Sequence, residues 1–165
     1  IFGSNDFDAD IVRIERVQNA ELYRLYDSRR KYIAGQNDGN ANEALLMHGT
    51  SNTSPETIWN SGPPRNNRYG FDFRYSSDHN YYGRGSYFTS DTSYAHRYSY
   101  KCPNTDNERQ IFLALVAQGR VEQKSAVDSS IRVPKEGCQS VRGPVLESIQ
   151  GLVVYEHNQS YPAYL

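Results

Sequence analysis

The chain has 165 residues, enough for one domain around one core. Lys and Arg number 18 against 19 Asp and Glu, a formal net charge of −1, which excludes the domain-wide positive field of a general nucleic-acid binder. No apolar run approaches the length of a membrane-spanning helix, so no membrane partner is expected.

Residues 11–17 alternate roughly and predict a short strand. Asn19 can cap a helix running to about residue 33, with Leu22, Tyr26 and Ile33 on one face, Gly35 as its stop, and Arg29, Arg30 and Lys31 near its negative end. Residues 36–42 are a polar loop. The apolar run Leu45-Leu46-Met47 is too short for a helix and predicts a buried strand that delivers His48. Ser54-Pro55-Glu56 is a helix start with the serine as cap, and that short helix stops at Gly62. Residues 63–80 form a long loop poor in apolar side chains, a length usually tied to function or disorder. Residues 81–89 are strand-like after a glycine turn. Ser90 or Asp91 caps a helix over about residues 92–100. Residues 110–116 are the clearest strand, apolar enough to be central, and residues 152–155 are another. Many short strands with a few early helices predict the α+β class rather than a βαβ alternation.

Three blocks can carry chemistry. His48-Gly49-Thr50 ends a strand, where a glycine lets a ligand approach the backbone and the histidine can donate a hydrogen bond to a sugar hydroxyl. Tyr82-Gly83-Arg84-Gly85-Ser86-Tyr87-Phe88 is a glycine turn followed by an aromatic strand; Phe88 stands where a Rossmann fingerprint needs a third small residue. Ser93-Tyr94-Ala95-His96-Arg97-Tyr98 puts Ala95 and Tyr98 on one helix face, where a tyrosine is either core or a stacking surface. Taken singly, they read equally as a strand end, a hairpin and a core-facing helix. Arg65, Arg68, Arg74 and Arg84 lie close together and allow a local basic patch. The histidines His48, His79, His96 and His157 lack metal-ligand spacing, so no metal is expected. Cys102 and Cys138 form no CxxC, and free thiols in an intracellular chain, nuclear or cytoplasmic, are expected. Residues 1–6 lack the basic and apolar regions of a secretion signal and read as part of a piece cut from a longer protein, so residues 1–165 are expected to form a single domain.

In combination, the three blocks resemble the catalytic domain of the poly(ADP-ribose) polymerase superfamily, the diphtheria-toxin-like ADP-ribosyltransferases. The likeness extends over nearly the whole chain. It takes in Val17-Gln18-Asn19, the run Asn42-Glu43-Ala44-Leu45-Leu46-Met47 before His48, Phe71-Asp72-Phe73-Arg74, Gln110-Ile111-Phe112-Leu113 and Tyr161-Pro162-Ala163-Tyr164-Leu165. It is nearest to the mono-ADP-ribosylating branch. The resemblance implies two mainly antiparallel sheets around a cleft for NAD⁺, the co-substrate, with a few short helices. It implies that His48 hydrogen-bonds the adenosine ribose, that the Gly49 backbone grips the nicotinamide carboxamide with Thr50 beside it, and that Tyr87 and Tyr98 sandwich the nicotinamide ring. It puts Arg74 on a donor loop facing the pyrophosphate or adenine, with Arg84 as a second candidate.

Two positions depart from the family pattern. The polymerising members carry a glutamate at the start of the strand near the C-terminus; here Gly151 stands there, or Gln150 on a shift of one residue. Losing it removes negative charge from where positive charge develops in the transition state. Glu156 points to the other strand face, and Glu147 reaches in only if its loop folds back. The second departure is Ala95, where the family usually has a serine that binds the carboxamide; one such bond is worth about 0.5–1.5 kcal/mol. Ser93 or Thr50 could substitute. The resemblance thus implies mono-transfer of ADP-ribose to a protein, or to a nucleic-acid end, with release of nicotinamide. The alternatives are an NAD⁺-binding module without turnover and an NAD⁺ glycohydrolase.

Overall fold

The computed structural model describes residues 9–62, 65, 68–77, 80–105 and 107–165. Residues 1–6, His79 and parts of the loop expected over 63–80 lie outside them. In chain order the elements are α1 (Ala20–Gly35), β1 (Glu43–His48), α2 (Glu56–Trp59), a 3₁₀ turn (Phe73–Tyr75), β2 (Ser86–Thr89), α3 (Thr92–Arg97), β3 (Tyr100–Lys101), β4 (Arg109–Gln110), β5 (Phe112–Ala117), β6 (Val121–Gln123), β7 (Ser140–Leu146), β8 (Ile149–Val154) and β9 (Ser160–Tyr164). No helix among the described residues is long and apolar enough to cross a membrane.

The main sheet runs β6-β7-β8-β2-β1-β5-β9, and β3 and β4 form a separate ribbon. Its pairings are antiparallel except β6 with β7. β1 pairs with β5 along its whole length, yet with β2 only at Met47 opposite Thr89. The sheet therefore consists of two halves joined by one register pair, which is how the two expected sheets appear here. The fold is α+β.

Asn19 caps α1 as its residue type predicts, its side-chain oxygen accepting from the Leu22 N–H at 3.1 Å. Leu22, Tyr26 and Ile33 are buried. With Phe71, Phe88, Phe112, Val116 and Leu152 they form the larger core cluster, each large side chain contributing about 1.5–3 kcal/mol by burial. A smaller cluster, Tyr82, Val141, Val145, Val153 and Tyr155, sits by the β7–β8 half.

Several boundaries differ from expectation. Gly35 is the last helical residue, not the stop; the left-handed glycine is Gly39, at φ +83°, whose N–H reaches the Ala34 carbonyl. Arg30 and Lys31 pair with Asp27 at 2.6 and 2.7 Å instead of lying in the last turn. Residues 11–17 meet the sheet only at their end, through an isolated bridge from Arg16 to Tyr164; Ile11, Val12 and Ile14 stay exposed. Ser54 offers its carbonyl to Thr57 rather than a side-chain cap, and α2 ends at Trp59. α3 stops at Arg97, because the Tyr98 carbonyl accepts from the Ser51 N–H and the chain turns into β3. The apolar run over 110–116 is divided between β4 and β5 at Ile111.

Candidate active site

Beside the single β1–β2 pair, the two half-sheets enclose a cavity of about 450 Å³, within the usual range for small-molecule sites. His48, Gly49, Thr50, Tyr87, Ala95, Tyr98 and Gly151 all line it. Residues far apart in sequence meet here because β1, β2, α3 and β8 end around one opening.

His48 stands where the ladder is interrupted. Its Nδ1 lies 2.7 Å from the Tyr87 carbonyl, so the side chain takes up a backbone acceptor that β1 no longer reaches. A carbonyl only accepts; Nδ1 must therefore carry the proton, which leaves Nε2 as an acceptor. The ring packs against Phe71 and Phe88 at centroid distances of 4.7 and 5.3 Å. Burial pushes its pKa down to about 4; the bond to Tyr87 opposes this and the Arg68 charge adds to it. The imidazole is neutral at physiological pH. It can accept a hydrogen bond from a sugar hydroxyl, the reverse of the donation expected from residue type alone.

The Tyr87 hydroxyl is already used. It accepts from the Tyr82 N–H and donates to the Gly83 carbonyl, both at 2.8 Å, closing its own glycine turn. Burial pushes its pKa up to about 12. What Tyr87 offers the cavity is a fixed ring. Tyr98 is 41% exposed, and its ring rests on Tyr94 at 5.3 Å with the two hydroxyls 3.3 Å apart. Gly49 is dictated by the chain itself: a Cβ there would overlap the backbone carbonyl of Tyr98.

Ala95 is buried, at 2% exposure, on the cavity-facing side of α3. Neither expected substitute supplies a missing hydroxyl donor. Ser93 donates to the capping Asp91 carboxylate at 2.7 Å, and Thr50 donates to the Thr53 carbonyl at 2.6 Å. Thr50 keeps only acceptor capacity toward the cavity.

The arginines are distributed differently from expectation. Arg74 Nε contacts both oxygens of Asp72, at 2.9 and 3.1 Å, and its Nη2 completes the fork. Burial alone would raise the Asp72 pKa, but the Arg74 bonds outweigh it and hold the carboxyl below its usual range. Arg84 donates to the backbone carbonyls of Arg74 and Ser76, at 2.9 and 3.2 Å, and so straps the 3₁₀ turn from outside. Among the described residues lining the cavity, Arg68 carries the one guanidinium and Asp72 the one carboxylate. Arg68, Asp72, Tyr94 and Val145 are cavity residues not singled out as site residues from the sequence. The grouping of four arginines was the available signal for Arg68.

Gly151 lies opposite Thr89 on β2 and Gly143 on β7. Gln150 is exposed and does not line the cavity. Glu147 is exposed at the β7–β8 hairpin tip with φ +41°, and Glu156 faces Arg29 of α1 at 4.0 Å. The space beside Gly151 is taken by the Val145 side chain.

The poly(ADP-ribose) polymerase catalytic domain model matches residues 3–150. A probable poly(ADP-ribose) polymerase of Dictyostelium discoideum is 32% identical over 98% of this chain. The chain spans 44% of that relative's length. By the extent of these matches, the chain belongs to the poly(ADP-ribose) polymerase catalytic-domain family, the ADP-ribosyltransferases that use NAD⁺ as co-substrate.

Proposed function

We propose that this domain transfers single ADP-ribose units from NAD⁺ to an acceptor on a protein, releasing nicotinamide. The observation that carries this reading is the composition of the cavity at Gly151. His48, Gly49, Tyr87 and Tyr98 are gathered in one cavity, while the third position offers a glycine and the Val145 isopropyl group.

In this reading His48 Nε2 accepts the hydroxyl proton of the adenosine ribose. The Gly49 backbone holds the carboxamide, and the Tyr87 and Tyr98 rings flank the nicotinamide. That arrangement fixes the anomeric carbon toward Gly151. The bond from that carbon to nicotinamide breaks with its electron pair passing to the ring nitrogen, which leaves as neutral nicotinamide. A nucleophilic atom of the acceptor forms the new bond and gives up its proton. Asp72 cannot serve as base, because its side chain is fully buried and forked by Arg74. The acceptor's own carboxylate or the solvent takes the proton. With no carboxylate at Gly151 to activate a ribose hydroxyl, a transferred unit does not become the next acceptor, and the product stops at one unit.

The test is incubation with labelled NAD⁺, following nicotinamide release and protein-bound label. Label in single units supports the proposal; chains of ADP-ribose overturn it. Val145 at the third position specifically favours a second reading, an NAD⁺-binding module without turnover. That reading predicts thermal stabilisation by NAD⁺ with neither nicotinamide release nor label. Nicotinamide release without label indicates hydrolysis.

A further inference from the structure

We propose that Arg68, rather than Arg74 or Arg84, takes the pyrophosphate of NAD⁺. This rests on reading the cavity as the NAD⁺ site. Three observations carry it. First, a dinucleotide brings two phosphate charges, and Arg68 is the one cationic side chain lining the cavity among the described residues. Second, the other two arginines of the loop are committed elsewhere: Arg74 forks the Asp72 carboxylate, and Arg84 straps the carbonyls of Arg74 and Ser76. Third, Arg68 is held in place. Its Nε donates to the Gly70 carbonyl at 3.2 Å, and its guanidinium carbon lies 4.5 Å from the centre of the Tyr75 ring. A guanidinium stacked on an aromatic face and tied through Nε presents its terminal nitrogens in a fixed plane, the geometry that suits a phosphate.

The direction of the ligand agrees. With the carboxamide at Gly49 and the adenosine ribose at His48, the pyrophosphate runs between them and past His48. Arg68 is near enough to His48 for its charge to help hold that imidazole neutral. Asp72, buried and neutralised by Arg74, does not compete for Arg68 as an open carboxylate would.

The experiment uses three probes, ADP-ribose, adenosine and nicotinamide, with the wild type, Arg68→Lys and Arg68→Gln. The glutamine can keep the bond to Gly70 and the packing on Tyr75 while losing the charge. The expected result is a loss of ADP-ribose affinity in Arg68→Gln of roughly ten- to a hundredfold, the scale of a charge-assisted contact, with partial retention in Arg68→Lys. Adenosine and nicotinamide affinities stay unchanged, and the wild-type affinity for ADP-ribose falls with added salt more steeply than that of the glutamine variant. Equal ADP-ribose affinity in wild type and Arg68→Gln overturns the proposal. So does an equal loss for adenosine, which would mean that Arg68 stacks on the base. A wild type that binds none of the three probes instead sinks the assignment of the cavity to NAD⁺, and the assignment of Arg68 with it.

Discussion

A Cβ built on Gly151 would lie 2.6 Å from Cγ1 of Val145, well inside contact distance. The β7 side chain therefore fills the volume from which the family's glutamate would otherwise reach into the cavity. Gly151→Glu alone should strain the β7–β8 pair, at a cost of about 1–3 kcal/mol. For a domain of this size that is a fall in melting temperature of about 2–4 °C per kcal/mol. Gly151→Glu with Val145→Ala should relieve the strain and place a carboxylate by the anomeric carbon. Nicotinamide release should then rise by about tenfold or more over wild type. Thermal melts and a release assay on the three proteins check this. If the double variant is as strained as the single one, Val145 is not the obstruction.

The enclosure of His48 between Phe71 and Phe88 predicts a pH signature. The unfolded chain takes up the proton near pH 6.5, the folded chain only near 4. Between those values the unfolded state binds more protons. The contribution of His48 to stability is thus present above 6.5 and is lost as pH falls toward 4. His48→Gln should melt with a shallower acid dependence across that window. NAD⁺ affinity should stay flat from neutral pH down to about pH 5, because Nε2 remains an acceptor. A midpoint for NAD⁺ binding near pH 6.5 would show that the imidazole titrates normally.

Which features were legible in the sequence follows from the range of the forces involved. The α1 cap at Asn19 and the buried face of Leu22, Tyr26 and Ile33 are local consequences of residue type and spacing, and both appear in the structure. His48, Tyr87 and Tyr98 were recognisable as types in order, and the fold brings them to one cavity. The bond from His48 to the Tyr87 carbonyl was not legible. It depends on β1 and β2 sharing a single register pair, a property of the sheet rather than of either strand. Strands β6 and β7 escaped notice for a related reason. β6 is short, and β7 holds Gly143 and Pro144 before a register shift; the two pair in parallel only after a long connection. Arg74 shows the opposite failure. Its partner Asp72 is two residues away in the sequence, but the arginine was read for a distant ligand before its near neighbour was considered.

The Tyr87 hydroxyl and ring should be separable. Tyr87→Phe loses the bonds to the Tyr82 N–H and the Gly83 carbonyl, a cost of about 1–3 kcal/mol for the donor left unpaired. The ring remains. Stability should fall while nicotinamide affinity changes by less than about threefold. Tyr87→Ala should lose both. A large loss of nicotinamide affinity in the phenylalanine variant, without loss of fold, would assign the hydroxyl a direct part in binding.

The strap across the donor loop predicts a split between binding and turnover. Arg84→Ala frees the carbonyls of Arg74 and Ser76, and Asp72→Asn weakens the fork that orients Arg74. Neither Arg74 nor Arg84 lines the cavity, so both substitutions act by loosening the loop that carries Tyr75 and Ser76. The KM for NAD⁺ should rise by roughly two- to tenfold with kcat nearly unchanged, as for lost uniform binding. Arg84→Lys should restore part of it. A fall in kcat at constant KM would place the loop in the chemical step instead.

Ala95→Ser tests whether the carboxamide site is held by backbone alone. Ala95 is buried on the cavity side of α3, and the hydroxyls nearest in sequence, Ser93 and Thr50, already donate to Asp91 and Thr53. A serine at 95 adds a donor that nothing nearby in sequence supplies. Its extra oxygen must fit against the tightly packed Gly49–Tyr98 contact, so the gain is bounded by one hydrogen bond, about 0.5–1.5 kcal/mol, or roughly three- to tenfold in nicotinamide affinity. The same substitution should leave adenosine affinity unchanged, because His48 and Arg68 lie at the other end of the proposed ligand. Calorimetric titration with nicotinamide and with adenosine distinguishes the outcomes. A serine that tightens neither would mean that the carboxamide does not face α3, and the direction assigned to NAD⁺ in the cavity would have to be reversed.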